Sequence, residues 1–205
     1  MRETRRPRLE DVTERRSRRI AAAQNVSRMC LVCGVENVAG LHARFYELEA
    51  DEDGEAGGPE GAAAAGPELL GIFTPRHEHQ SYPGRLHGGV SSAILDETIG
   101  RAITILHPGV WGVTAELTVR YRQPVPLDAE IRAIGRITRD TRRLFEGTGE
   151  ILLADGSVAV EASGKYLKMR LEEIAGDGFD ETEWFADQRA LPDEVTVERP
   201  GEDGA

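Results

Sequence analysis

Cysteine is scarce in this chain: Cys30 and Cys33 are the only two in 205 residues. They are too few and too close for a disulfide scaffold, so a reducing cytoplasm is the expected compartment. Their C-x-x-C spacing is that of half a zinc knuckle, but no second pair follows and His42 is the only nearby imidazole. The pair therefore reads as a structural turn, and no metal is expected. Long apolar runs are also missing. Nothing approaches the roughly eighteen residues that read as a membrane span, and no apolar segment follows the arginine-rich N-terminus, which argues against a secretory signal. That basic head lacks aromatics interleaved with its arginines, which argues against nucleic acid as a partner.

Charge is present in quantity and unevenly placed. Residues 1–28 carry nine arginines against four acids, and residues 171–205 carry twelve acids against Arg189 and Arg199. The net charge of -11 thus describes a near-neutral body with a basic head and an acidic tail. Residues 1–28 read as a basic arm, helical from Asp11 to Arg28 by composition. Residues 29–170 read as the folded domain. Within it, 51–67 is a low-complexity insertion of Gly, Ala, Pro and acids that reads as a flexible loop. Residues 171–205 read as a mostly mobile tail, with Trp184 and Phe185 anchoring a short helix.

The body is organised around one helix. Leu95, Ile99, Ala102, Ile103 and Leu106 share one helical face, and Val90, Ala93 and Ile94 widen it. Strands are expected at 41–48 and 69–74 before the helix. Four more follow it with a period of two: Thr114 to Arg122, Ile131 to Ile137, Phe145 to Leu153 and Val158 to Tyr166. Asp155-Gly156 turns the last pair as a hairpin. In the first of these strands, alternation puts Ala115, Leu117, Val119 and Tyr121 on one side and Thr114 on the other. The small residues Gly147, Gly149, Ala162 and Gly164 make room for the helix across the sheet. Two strands, one helix, then four strands is an α+β pattern with a curved antiparallel sheet around a central helix.

The sequence motifs Leu86-His87-Gly88-Gly89-Val90 with Leu95-Asp96-Glu97, Cys30-x-x-Cys33-Gly34-x-x-Asn37-x-x-Gly40-Leu41, and Glu78-His79-Gln80-Ser81-Tyr82-Pro83-Gly84 together resemble the hotdog-fold acyl-CoA thioesterases of the phenylacetyl-CoA and 4-hydroxybenzoyl-CoA type. The resemblance covers roughly residues 30–168. It implies an acyl-CoA substrate, with coenzyme A as part of the substrate and no separate cofactor. It also implies a homodimer or a dimer of dimers.

The residues permit that chemistry. A Gly-Gly helix start turns unobstructed amides outward, so Gly88 or Gly89 could hold a developing oxyanion; the resemblance selects Gly88. Asp96, eight residues on, would be general base or nucleophile; otherwise it is a buried acid salt-bridged to Arg101 or capped by a Ser or Thr. About 12 Å of helix separates it from Gly88, and the resemblance implies that two subunits each supply one of the pair. His87 would be a base or a turn-ordering group. The resemblance implies an Asn or Gln seven residues before the catalytic glycine, where this chain has Ser81, so Gln80 is preferred as the carbonyl partner. Thr114 would orient water. Arg85, Arg120, Arg122 and Arg143 are candidates for the coenzyme A phosphates. Two other readings use the same residues: a non-catalytic acyl-CoA sensor, and a hotdog hydratase built on His87 and Asp96.

Overall fold

A computed structural model of the chain describes residues 13–49, 67–178, 180–187, 189, 192 and 194–200. The low-complexity insertion, but for Pro67, lies outside these. The strands are β1 (Thr13–Ala23), β2 (Val26–Ser27), β3 (Arg44–Leu48), β4 (Glu68–Phe73), β5 (Val110–Tyr121), β6 (Ile131–Asp140), β7 (Leu144–Leu152), β8 (Val158–Arg170), β9 (Trp184–Phe185) and β10 (Glu194–Pro200). Helix α1 (Gly88–Leu106) precedes β5, and α2 (Leu171–Ala175) follows β8. The main sheet runs β10-β1-β3-β4-β6-β7-β8-β5, with every neighbouring pair antiparallel. This is the expected hotdog arrangement. No helix among the described residues is long and apolar enough to cross a membrane.

Helix α1 lies across one face of the sheet because both surfaces are apolar there. Ile94, Leu95, Ile99, Ala102 and Ile103 pack with Phe45, Leu69, Ala133, Phe145, Ile151 and Val160 in one buried cluster. Close approach is required under Ile99: a Cβ at Gly147 would lie 2.6 Å from its Cγ2, and one at Gly135 would lie 2.7 Å from the Thr98 carbonyl. Gly164 serves a different purpose from the one expected of it. A Cβ there would meet the Tyr166 ring at 2.6 Å, so the space is filled by Tyr166, which stacks on Phe145 at 4.9 Å, and not by the helix.

The two ends of the chain depart from expectation. Where composition favoured a helix, β1 pairs with β3 on one side and β10 on the other; sheet pairing overrides a modest local helix preference. The acidic tail, expected to be mobile, contributes β10. Its alternating Val195 and Val197 are buried with Tyr46, Leu48, Leu70, Ile134 and Leu152 on the face of the sheet that α1 does not cover. Trp184 and Phe185 form a two-residue strand against Val26 and Ser27, not a helix. Head and tail thus bind each other across the β1–β10 ladder, where Arg19 approaches Glu194 at 4.0 Å. Arg18 turns inward to a buried pair with Glu68 at 3.0 Å.

Candidate functional site

The site begins where the chain enters α1. The turn before it is held by Gln80, whose side-chain oxygen accepts from the Gly84 amide at 2.9 Å, and by the Ser81 amide on the Arg85 carbonyl at 3.0 Å. His87 is the N-cap: its Nδ1 accepts from the Gly89 amide at 2.9 Å, and its carbonyl accepts from Val90 and Ser91. Gly89 is therefore already used. Among the described residues nothing accepts from the Gly88 amide, which makes it the donor at the positive end of the helix.

A group that sequence reasoning passed over frames Gly88. Tyr121 Oη donates to the Gly88 carbonyl at 2.9 Å and lies 2.7 Å from Ser92 Oγ. A Cβ on Gly88 would sit 3.3 Å from the Tyr121 ring. Beside them opens a cleft of about 290 Å³ lined by Leu86, Gly88, Tyr121, Arg122, Val125 and Val160 among others. Its apolar floor and few polar groups are what a small-ligand site needs. The signal for Tyr121 was present in the sequence, as a large side chain on the helix-facing side of β5.

Asp96 lies two turns further along α1, half-buried, and Thr114 Oγ1 donates to its carboxylate at 2.8 Å. The strict alternation read from sequence would have turned Thr114 away. A bulge between Thr114 and Glu116 shifts the register, so that Thr114, paired with Tyr166, shares a face with Leu117, paired with Gly164. Burial lifts the Asp96 carboxyl above the ordinary carboxylate range, against the lowering by hydrogen bonds from Thr114 and Tyr166. Tyr166, itself pushed up by burial and then by the Asp96 charge, adds no cation. Of the two structural alternatives for Asp96, the pairing with Arg101 does not occur, whereas capping by a hydroxyl does, from Thr114. Arg101 is taken by Glu97, Nε to Oε1 at 2.8 Å.

The four arginines do not converge. Arg85 bridges Pro126, and Arg122 lines the cleft, both at the start of α1; Arg122 is held by Glu161 at 2.8 Å. Arg120 sits opposite Glu161 in the β5–β8 ladder. Arg143 stands at the other end of the helix, its carbonyl accepting from Lys168, near where Asp140 meets His107.

Comparison with known proteins gives the following. Residues 83–160 match the family model described as the thioesterase superfamily. The chain is 27% identical over 140 residues to acyl-coenzyme A thioesterase THEM4 of Xenopus laevis, covering 66% of this chain and 61% of that protein. It spans about three fifths of that relative's length. A crystal structure of a thioesterase superfamily protein is 30% identical, with a TM-score of 0.54 over 69% of this chain and 61% of its own. A thioesterase from Haemophilus influenzae shares the fold, with a TM-score of 0.52 at 16% identity over 68% of this chain and 86% of its own.

Proposed function

We propose that this chain, whose residues 83–160 match the model of the thioesterase superfamily, is a thioesterase that hydrolyses an acyl-coenzyme A thioester to the free acid and coenzyme A. One observation carries the reading: edge strand β5 holds both halves of the chemistry, Asp96 through Thr114 and Gly88 through Tyr121. Those two strand residues lie seven apart, about 23 Å along a strand, so one protomer does not bring both halves to one carbonyl.

A homodimer does. The outer edge of β5 has no strand beside it among the described residues, and such an edge is a template for pairing. Antiparallel pairing of two β5 strands about a two-fold near Leu117 and Thr118 sets Tyr121 of one protomer beside Thr114 of the other. Each shared site then has one Gly88 amide and one Asp96 carboxylate.

Asp96 takes a proton from water as the oxygen attacks the thioester carbon, and the resulting oxyanion is held by the Gly88 amide. The carbon–sulfur bond then breaks, and the coenzyme A sulfur leaves with the proton Asp96 had taken. The cleft beside Gly88 receives the thioester end of the substrate. The likeness to THEM4 supports the acyl-CoA class.

The test is thiol release from a panel of aryl and medium-chain acyl-CoAs, with mixed protomers. Asp96→Asn and Gly88→Pro each abolish activity when alone. Proline fits the first helical position and removes the amide N–H, and the Tyr121 ring, 3.3 Å from the added Cβ, must give way by a few tenths of an ångström. Mixing the two restores about a quarter of the parental rate, because half of randomly paired dimers are mixed and each has one intact site. Binding without turnover by the parent protein refutes hydrolysis, and failure of mixing to restore activity refutes the shared site.

A further inference from the structure

The other side of α1 carries a cluster that the hydrolytic reading leaves unused. Cys30 and Cys33 sit on a turn closed by the Gly34 amide on the Cys30 carbonyl at 2.8 Å. Only glycine allows that closure, since a Cβ at Gly34 would lie 2.3 Å from the same carbonyl oxygen. The two sulfurs and a Glu97 carboxylate oxygen all lie within 4.8 Å of one another. Cys30 is half-buried and within reach of solvent, while Cys33 is fully buried. The Val32 amide donates to Cys30 Sγ at 3.3 Å, and Arg101 Nη2 donates to Cys33 Sγ at 3.0 Å.

We propose that Cys30 and Cys33 are a redox-active dithiol that a hydroperoxide closes to an intrachain disulfide, with Cys30 as the attacking sulfur and Cys33 as the resolving one. The Cys30 thiolate attacks the outer peroxide oxygen, the O–O bond breaks, and the leaving alkoxide or hydroxide takes a proton, giving a sulfenic acid and an alcohol or water. Cys33 then attacks the Cys30 sulfur, the S–O bond breaks, and hydroxide departs with the Cys33 proton as water. Two thiols lose two electrons, and the peroxide gains them.

The surroundings fit this order. Hydrogen bonding with Cys33 brings the Cys30 thiol below its usual range, against burial and the charge of Glu97, whose carboxylate lies 4.0 Å from Cys30 Sγ; the second proton, on Cys33, is correspondingly harder to remove. The same surroundings disfavour a divalent cation. The place beside these donors is already held by a fixed cation, Arg101, which is 2% exposed, bonded to Glu97 and Cys33, and stacked near Phe45, Trp111 and Trp184.

The full chain, reduced and then exposed to dilute hydrogen peroxide, is quenched in denaturant with N-ethylmaleimide and mapped by peptide mass. The expected product lacks two hydrogens, has neither cysteine alkylated and is restored by dithiothreitol. Cys33→Ser stops at a sulfenic acid on Cys30 that dimedone captures, and Cys30→Ser reacts about tenfold more slowly than the parent. Cysteines that stay alkylatable, oxidation to sulfinic acid without a disulfide, or one zinc per chain masking both thiols until chelation would each overturn the proposal. The measurement on the parent chain stands even if a variant fails to fold.

Discussion

Asp96 and Glu97 are adjacent in sequence and occupy opposite environments. Asp96 faces the edge strand, half-buried, with a neutral hydroxyl at 2.8 Å and, among the described residues, no cation bonded to it. Glu97, about 100° round the helix, faces the loop that holds the cysteines, with the Arg101 guanidinium at 2.8 Å. An acid neutralised by a fixed cation is a poor proton acceptor, because the cation already stabilises its charge. An acid that burial holds above its ordinary range, with only hydroxyls to support it, is basic enough to take a proton from water. One side of the helix offers an acid free to take a proton, and the other ties its acid to a fixed cation beside the cysteine turn.

The sharpest way to break this contrast is Asp96→Asn. Its oxygen still accepts from Thr114, so the fold persists, while thioester hydrolysis falls by about a thousandfold, within the range assigned to a general base. Stability moves the other way. The folded carboxyl is raised above its unfolded value, so ionising it costs stability above the unfolded pKa, and that cost is absent below it. The Asn variant should therefore melt higher than the parent at neutral pH, with the gain vanishing on acidification below the ordinary carboxylate range. Equal melting curves at neutral pH would show that Asp96 is not desolvated, and undiminished hydrolysis would remove it from the reaction.

Glu97→Gln tests the other side. It leaves Arg101, a buried cation, with the Asn25 carbonyl at 2.9 Å and the Cys33 sulfur at 3.0 Å as its remaining polar partners among the described residues besides the new amide. Unfolding in denaturant should show a loss of about 3 kcal/mol, the scale for breaking a buried pair at one partner. Hydrolysis by the folded fraction should stay within a few-fold of the parent. A catalytic collapse without destabilisation would reverse the two roles.

How much of this could be read from the sequence differs from element to element. The helix, its apolar face and the strands after it were legible because their periods of 3.6 and 2 persist over whole elements. The position of Asp96, two turns into the helix, was legible from its spacing to the helix start. The holder of Asp96 was misplaced on the wrong face, because a single inserted residue at the β5 bulge reverses every face before it. Tyr121 was missed because its place depends on the first carbonyl of α1, at Gly88, brought to it by tertiary packing. The ends of the chain misled most. A run of Arg, Glu and Ala carries helix preference locally, yet β1 is a strand because β3 and β10 stand on either side of it. Val195 and Val197 were too short an alternation to outweigh the surrounding acids.

Thr114→Val sharpens the comparison with a smaller effect. It keeps the shape of the strand and deletes the hydroxyl that donates to Asp96. Burial is then opposed by less hydrogen bonding, so the carboxyl rises further. The reactive form is the carboxylate, so the rate climbs with pH through that pKa, and the acid limb of kcat should move to higher pH. At a pH within that limb the rate falls about tenfold, the equivalent of one hydrogen bond to a charged group. An unchanged limb would mean that another group sets it.

The smallest effect is expected at Tyr121→Phe. The ring stays against Gly88, so the close approach that excludes a side chain there is preserved, and Ser92 Oγ still donates to the Gly88 carbonyl at 3.2 Å. Only one of the two side-chain donors to that carbonyl is lost. Those donors act on the peptide plane that follows the Gly88 amide, and they fix the first turn of the helix from which the proposed oxyanion donor projects. Loosening one of them weakens a contact that strengthens as the oxyanion forms, so kcat should fall about threefold with KM unchanged. A rise in KM at constant kcat would instead place Tyr121 in ground-state binding, where its exposed hydroxyl contacts the substrate directly.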